Sequence, residues 1–122
     1  MKVAVTSQGP DVASEVDPRF GEAGFLIVVD TRTGQCMTHD NTQNLNAVQN
    51  AGREATRKVM DLGVDAVITG NVSGRALATL EAGNIRVCTG GPSGSVMDAV
   101  ERFKAEQLEN ASKLHDEKYY WT

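Results

Sequence analysis

The apolar residues change their spacing midway along the chain, and that change restricts the fold more than any other feature. Before residue 40 they come in short runs, Val3-Ala4-Val5 and then Phe25-Leu26-Ile27-Val28-Val29. Both are strand-sized, and the second is apolar on both faces, which predicts a strand inside a sheet. Asp30-Thr31-Arg32-Thr33-Gly34 follows as a tight turn, with a glycine free to take positive φ, and predicts an antiparallel hairpin whose second strand ends near His39. After Asn41-Thr42-Gln43-Asn44 the spacing becomes helical. Val48, Ala51, Ala55, Val59 and Leu62 step by three and four, while Arg53, Glu54, Arg57 and Lys58 lie largely off that stripe. Gly63 stands where a helix C-terminal glycine belongs. A strand from Asp65 to Thr69, a helix from Arg75 to Ala82 closed by Gly83, and a strand from Ile85 to Cys88 come next. A last helix starts at Ser95, with Asp98 three residues on as a shortened capping box, and runs to about Leu108.

Strand–helix–strand units require parallel strands joined by right-handed crossovers. A hairpin placed before them gives a mixed sheet. The spacing therefore predicts an α/β, ribonuclease-H-like three-layer fold over residues 1–108. Its five strands run in the order 3-2-1-4-5, with strand 2 antiparallel and helices on both faces. Outside the C-terminal tail the aromatics are only Phe20, Phe25 and Phe103, so Val, Ile, Leu and Ala must build the core. Residues 109–122, which include His115 and Tyr119-Tyr120-Trp121, read as a polar, flexible tail.

Composition removes several function classes. Twelve basic against sixteen acidic residues give a net charge of −4, the wrong sign for a general nucleic-acid binder. No apolar run approaches the roughly 18 residues of a membrane span. Met-Lys-Val-Ala-Val-Thr-Ser lacks the apolar stretch of a signal peptide, so a cytoplasmic protein with no membrane partner is expected. Cys36 and Cys88 are too few for a disulfide framework and have no CxxC spacing. A monomer or weak dimer is expected, folding without any metal.

In the expected sheet, the loops leaving strands 1, 4 and 5 converge on one edge, where open α/β sheets bind ligands. They are Thr6-Ser7-Gln8-Gly9, Gly70-Asn71-Val72-Ser73-Gly74-Arg75 and Thr89-Gly90-Gly91-Pro92-Ser93-Gly94. Two lead into helix N-termini, where free N–H groups and the dipole favour an anion. The glycines serve either to turn the chain or to admit a ligand to the backbone. Arg75 and Arg19 would add fixed positive charge. The long segment from Ser7 to Ala23 has no clear period, and such loops are often functional.

Other chemistry is poorly provided for. GxxxxGK[ST] is absent, no GxGxxG follows the first strand, and a nucleotide-dependent enzyme is disfavoured accordingly. A ribonuclease-H nuclease needs carboxylates on its first strand, which offers only Val3, Ala4, Val5 and Thr6. Cys36 and His39, three apart on a strand, point to opposite faces and make a poor metal pair. Cys88, ending a buried strand beside the loop edge, is either a small core residue or a ligand. Ser7, Ser73, Ser93 and Ser95 show no histidine partner. No catalytic residue is assigned.

Val16-Asp17-Pro18-Arg19-Phe20-Gly21-Glu22-Ala23, with the opening Val3-Ala4-Val5-Thr6-Ser7, resembles the dinitrogenase iron–molybdenum cofactor biosynthesis family. Gly63-Val64-Asp65-Ala66-Val67-Ile68-Thr69-Gly70 and Ala76-Leu77-Ala78-Thr79-Leu80-Glu81-Ala82-Gly83-Asn84-Ile85 continue the resemblance, which covers about residues 1–108. Within the family, Thr6-Ser7-Gln8-Gly9-Pro10 and Asp17-Pro18-Arg19-Phe20-Gly21 look most like the orange proteins of sulfate-reducing bacteria.

The resemblance implies a ribonuclease-H-like fold and a non-enzymatic role in binding or carrying a metal–sulfur cluster in an anaerobe. For orange proteins that is an anionic molybdenum–copper sulfide cluster, with an association with MinD-like P-loop ATPases and cell division. Nitrogenase carriers often have a histidine before the Phe-Gly pair, where this chain has Arg19. That departure, with Asn71-Val72-Ser73-Gly74-Arg75 in place of a sequence closer to Gly-Pro-Asn-Ala, favours capture by charge over ligation by histidine. The residues expected to hold the cluster are Thr6, Ser7, Gln8, Gly9, Arg19, Phe20, Gly21, Gly70, Asn71, Gly74, Arg75, Gly90 and Gly91. A large, soft, multiply charged anion needs positive potential and N–H donors more than a rigid ligand set. Its copper would be satisfied by inorganic sulfide. The alternative is a protein-interaction module with no obligatory cofactor.

Overall fold

In the computed structural model, residues 1–40, 51–89 and 94–105 are described. The turn at 41–44, Val48 of the first helical stripe, Gly90, Gly91, Ser93 and the 109–122 tail lie outside them. The strands are β1 (Lys2–Ser7), β2 (Phe25–Asp30), β3 (Cys36–Asp40), β4 (Ala66–Ile68) and β5 (Arg86–Cys88). The helices are α1 (Ala51–Asp61), α2 (Gly74–Ala82) and α3 (Val96–Lys104). The sheet order is β3-β2-β1-β4-β5, with β1 antiparallel to β2 and parallel to β4. The α/β ribonuclease-H-like arrangement read from the spacing is the one observed.

β1 is the centre of the sheet, and Val3 through Ser7 are all buried. Alternation sends Val3 and Val5 to one face, with Ile27, Val29, Ala66, Ile68 and Cys88. α3 covers that face with Val96, Ala99, Val100 and Phe103. Ala4, Leu26, Val67 and Val87 form the other face, under Ala55 and Val59 of α1 and Leu77 and Leu80 of α2. Full burial of side chains of this kind contributes about 1.5–3 kcal/mol each. The core therefore closes as two apolar layers around one sheet.

The punctuation acts locally. Gly34 (φ 79°) donates to the Asp30 carbonyl at 2.7 Å and turns β2 into β3. Arg32 N–H and Thr33 N–H donate to the Asp30 carboxylate, which holds its pKa below the usual range, the Arg32 bond contributing most. Gly63 (φ 67°) follows α1, and Ser73 and Gly83 cap α2. The positive φ after α2 falls on Asn84 (62°). At α3 the Ser95–Asp98 capping box is complete in both directions. α3 stops at Lys104, short of the expected Leu108, with Ala105 as its cap. Residues 106–108 lie outside the described residues. Among the described residues no helix is long and apolar enough to cross a membrane.

Candidate functional site

At the carboxyl end of β1 the chain folds over itself. Ser7 bridges to Val16, Gln8 N–H donates to the Glu15 carbonyl at 2.9 Å, and Asp17 N–H donates to the Thr6 carbonyl at 2.9 Å. The Thr6 hydroxyl donates to the Asp17 carbonyl at 2.6 Å and lies 2.9 Å from the Thr69 hydroxyl. The Ser7 hydroxyl donates to the Gly9 carbonyl at 2.7 Å. Both side chains are buried, so the polar groups expected to meet a ligand are occupied by the chain itself. Gly9 has a packing reason, since a Cβ there would collide with the Ser14 hydroxyl. Gln8 stays exposed, with its side-chain amide 3.4 Å from the Val16 carbonyl.

The second loop docks on the same segment. Asn71 N–H donates to the Pro18 carbonyl at 2.6 Å, and Phe20 N–H donates to the Asn71 carbonyl at 3.2 Å. A Cβ on Gly70 would sit 2.7 Å from Pro18 Cα, so only glycine admits this approach. Phe20 inserts into the core under α1 and α2, and Gly21 follows half-buried. Arg19 is not a free charge. Its guanidinium pairs with Asp17 (Nε–Oδ1 3.2 Å) and Glu22 (Nη1–Oε2 3.3 Å), which raises its pKa further, the Asp17 hydrogen bond contributing most.

Open space lies instead in the helical layer. α1 and α2 each connect parallel strands, so they run parallel to one another with their N-termini at the same end. Between them is a cavity of ≈ 560 Å³, within the range of small-ligand sites. Arg53, Thr56, Arg57, Met60 and Asp61 line it from α1, and Ser73, Arg75, Ala76 and Thr79 from the α2 side. The Ser73 hydroxyl accepts from Ala76 N–H at 3.1 Å, and the first turn of α2 carries no acidic residue. Among the described residues Arg53, Arg57 and Arg75 form no ion pair, in contrast to Arg19. Gly74 at the same helix start is exposed, and a Cβ there would meet nothing within 4 Å.

The structure thus divides the residues singled out from the sequence. Thr6, Ser7, Gln8, Gly9, Arg19, Phe20, Gly21, Gly70 and Asn71 gather at the folded-over edge of the sheet. Gly74 and Arg75 stand at the mouth of the inter-helix groove. Gly90 and Gly91 are outside the described residues. Arg53 and Arg57 escaped the sequence reading because they lie off the core stripe and count as solvated face. Their signal was present, since Arg53, Arg57 and Met60 are four and three apart and form a second stripe.

Ligation by side chains has little support. Among the described residues no group of three or more His, Cys, Asp or Glu is placed to hold a metal ion. Cys88 is fully buried, and burial pushes its thiol pKa up. Cys36 is exposed, its thiol 3.4 Å from the Gly34 carbonyl. Cys36 pairs with Val29 and His39 with Leu26, residues of opposite core layers, so the two do point to opposite faces. Ser7, Ser73 and Ser95 serve turns and caps, and none is bonded to His39.

No curated protein matches the sequence. Among solved structures, the apo form of the orange protein from Desulfovibrio gigas is similar, with a TM-score of 0.83 and 34% identity over 90% of this chain and 92% of that one. An NMR structure of a Thermotoga protein described as a putative NifB protein of the DUF35 family has a TM-score of 0.74 and 29% identity over 89% and 91% of the two chains. A further crystal structure, at 21% identity and a TM-score of 0.72, shares the fold. Residues 1–106 match the family model for dinitrogenase iron–molybdenum cofactor proteins, so the chain belongs to that family.

Proposed function

We propose that this protein is a non-enzymatic carrier of an anionic metal–sulfur cluster of the molybdenum–copper sulfide type, held by charge and backbone N–H groups. The observation that carries the reading is the α1–α2 groove, where three guanidiniums without an ion pair among the described residues line a cavity that begins at a helix N-terminus. Family membership and likeness to an orange protein in its apo form support a cluster as the cargo. The donor set suits an anion and not a bare metal ion. Guanidinium is weakly hydrated and keeps its charge at every relevant pH, so it gives up little in meeting a large, diffuse anion. Inorganic sulfide completes the copper coordination, and the protein adds potential, N–H groups and shape. The two core layers are built from the chain's own side chains, and the expected order is folding first and loading second.

The test is anaerobic titration of the apo-protein with tetrathiomolybdate and copper(I), followed by visible absorption. A hydrogen bond to a charged partner is worth about 1.5–3 kcal/mol when shielded. At these exposed positions about half of that survives screening, so Arg53→Ala, Arg57→Ala and Arg75→Ala should each weaken uptake about three- to tenfold. Arg19→Ala and Cys36→Ser should change it less than about twofold, because one charge is neutralised by Asp17 and Glu22 and the other group lies on the hairpin. Undiminished uptake by the triple arginine variant, or loss of uptake in Cys36→Ser, would overturn the assignment.

A further inference from the structure

The groove is not uniformly cationic. Four large apolar side chains are exposed among the described residues, and all are methionines: Met1, Met37, Met60 and Met97. Only Met60, 42% exposed, lines the groove. Its terminal methyl reaches across to the end of α2. A Cβ on Gly83 would lie 3.3 Å from the Met60 terminal methyl, so the glycine leaves the thioether a seat on the end of α2. Backbone conformation does not demand glycine there, since Gly83 has φ −89°. Because α1 and α2 are parallel, Arg53 and Arg75 occupy the N-terminal end of the groove, and Arg57 lies near its middle, one turn before Met60 and Asp61. Met60 and Asp61 stand towards the C-terminal end. Ala76 adds a second apolar patch to the wall.

We infer that Met60 is a specificity-determining residue that makes the groove select sulfido anions over oxoanions of equal charge. This rests on the carrier reading above. The arginines attract any dianion of suitable size and cannot separate tetrathiomolybdate from molybdate by charge. The wall can. A thioether is polarizable and donates no hydrogen bond, so it gains dispersion against sulfide and offers nothing to a strongly hydrated oxo group. An oxoanion pushed against Met60 loses water without replacement, a cost that the weakly hydrated sulfido anion largely escapes. Asp61, at the same end, repels both dianions alike, so the discrimination falls to the wall.

The experiment compares two probes on the folded protein, tetrathiomolybdate by visible absorption and molybdate by equilibrium dialysis. Wild type, Met60→Gln and Met60→Leu are the proteins. Glutamine has a similar length and helix propensity and brings an amide that can bond an oxo group. It should lower the ratio of thiomolybdate to molybdate affinity about five- to tenfold, because an amide N–H bonds an oxo oxygen more strongly than sulfide sulfur, the weaker acceptor. Leucine keeps the apolar wall and should keep most of the ratio. An equal loss in both variants would assign the effect to the sulfur atom and still support the inference. Binding of both probes with a ratio unchanged in Met60→Gln would overturn the inference and leave the carrier reading standing. Failure of wild type to bind tetrathiomolybdate, with or without copper, would overturn both.

Discussion

Gly70 and Gly74 sit four residues apart in one loop, yet the structure gives them opposite mechanical roles. At Gly70 a Cβ would lie 2.7 Å from both Cα and Cβ of Pro18 and 2.8 Å from its carbonyl oxygen. Two of those atoms are backbone, so no rotamer change relieves the contact. Gly70→Ala must push the Pro18 segment away from the end of β4. Overpacking of this kind costs about 1–3 kcal/mol. Separation also weakens the Asn71–Pro18 and Phe20–Asn71 hydrogen bonds, at about 0.5–1.5 kcal/mol each, and loosens Phe20, only 3% exposed. A total of about 3 kcal/mol follows, and for a chain of this size a fall of about 10 °C in Tm. Gly74 has open space, is the first residue of α2 and has no positive φ, so Gly74→Ala should be neutral or stabilise by up to about 1 kcal/mol. Urea denaturation followed by circular dichroism measures both, with the slope m as a check that the unfolding transition is unaltered. A loss below about 1 kcal/mol in Gly70→Ala would show that the segment yields freely and would refute the close-packing argument.

Two further outcomes are readable without a ligand. In the native protein a thiol reagent should label Cys36 promptly and Cys88 only on unfolding, because Cys88 is fully buried and its pKa is raised by burial. Two prompt equivalents would contradict the β5 packing. His39 has a pKa lowered first by burial and then by Lys58, and its Nε2 is buried without a hydrogen-bond partner. A group whose folded pKa is depressed contributes stability that is complete above its unfolded value, ordinarily 6.5, and is lost as pH falls through the folded one. Urea midpoints should therefore fall between about pH 7.5 and about pH 5 in wild type and fall less in His39→Gln. Equal pH dependence in the two proteins would remove His39 as the cause.

Local and short-range features were legible in the sequence, and long-range contacts were not. Val3-Ala4-Val5, the Asp30–Gly34 turn and the α1 stripe each express one structural period, and the Ser95–Asp98 pair fixes a helix start within four residues. The order 3-2-1-4-5 was then the arrangement that best fitted a hairpin followed by right-handed crossovers between parallel strands, and it is the order observed. The fate of Thr6 and Ser7 depended on a segment about ten residues away folding back over β1, a contact with no signature in spacing. Arg19 looked like a free cation because its partner Asp17 is two residues away, at a separation where pairing depends on loop conformation. The groove was hidden for a related reason: it belongs to neither helix alone and exists only where α1 and α2 lie side by side.

The segment that carries the family resemblance and the groove that offers the open cationic surface are mechanically connected. Asp17 to Gly21 does not line the cavity. It clamps Asn71 instead, with Pro18 accepting from the Asn71 N–H and Phe20 donating to the Asn71 carbonyl. Asn71 is two residues before Ser73, whose hydroxyl caps α2, and four before Arg75. A backbone held on both sides at residue 71 fixes where α2 begins and which way its first N–H groups point. The paired Arg19 fits this role, since its backbone N–H and its guanidinium both bond to Asp17 and stiffen the clamp from within. A histidine at that position could ligate a metal but could not span both Asp17 and Glu22 with one permanent charge. The guanidinium thus stiffens the segment that positions α2, while among the described residues Arg53 and Arg57 on the facing helix and Arg75 beside the cap form no ion pair.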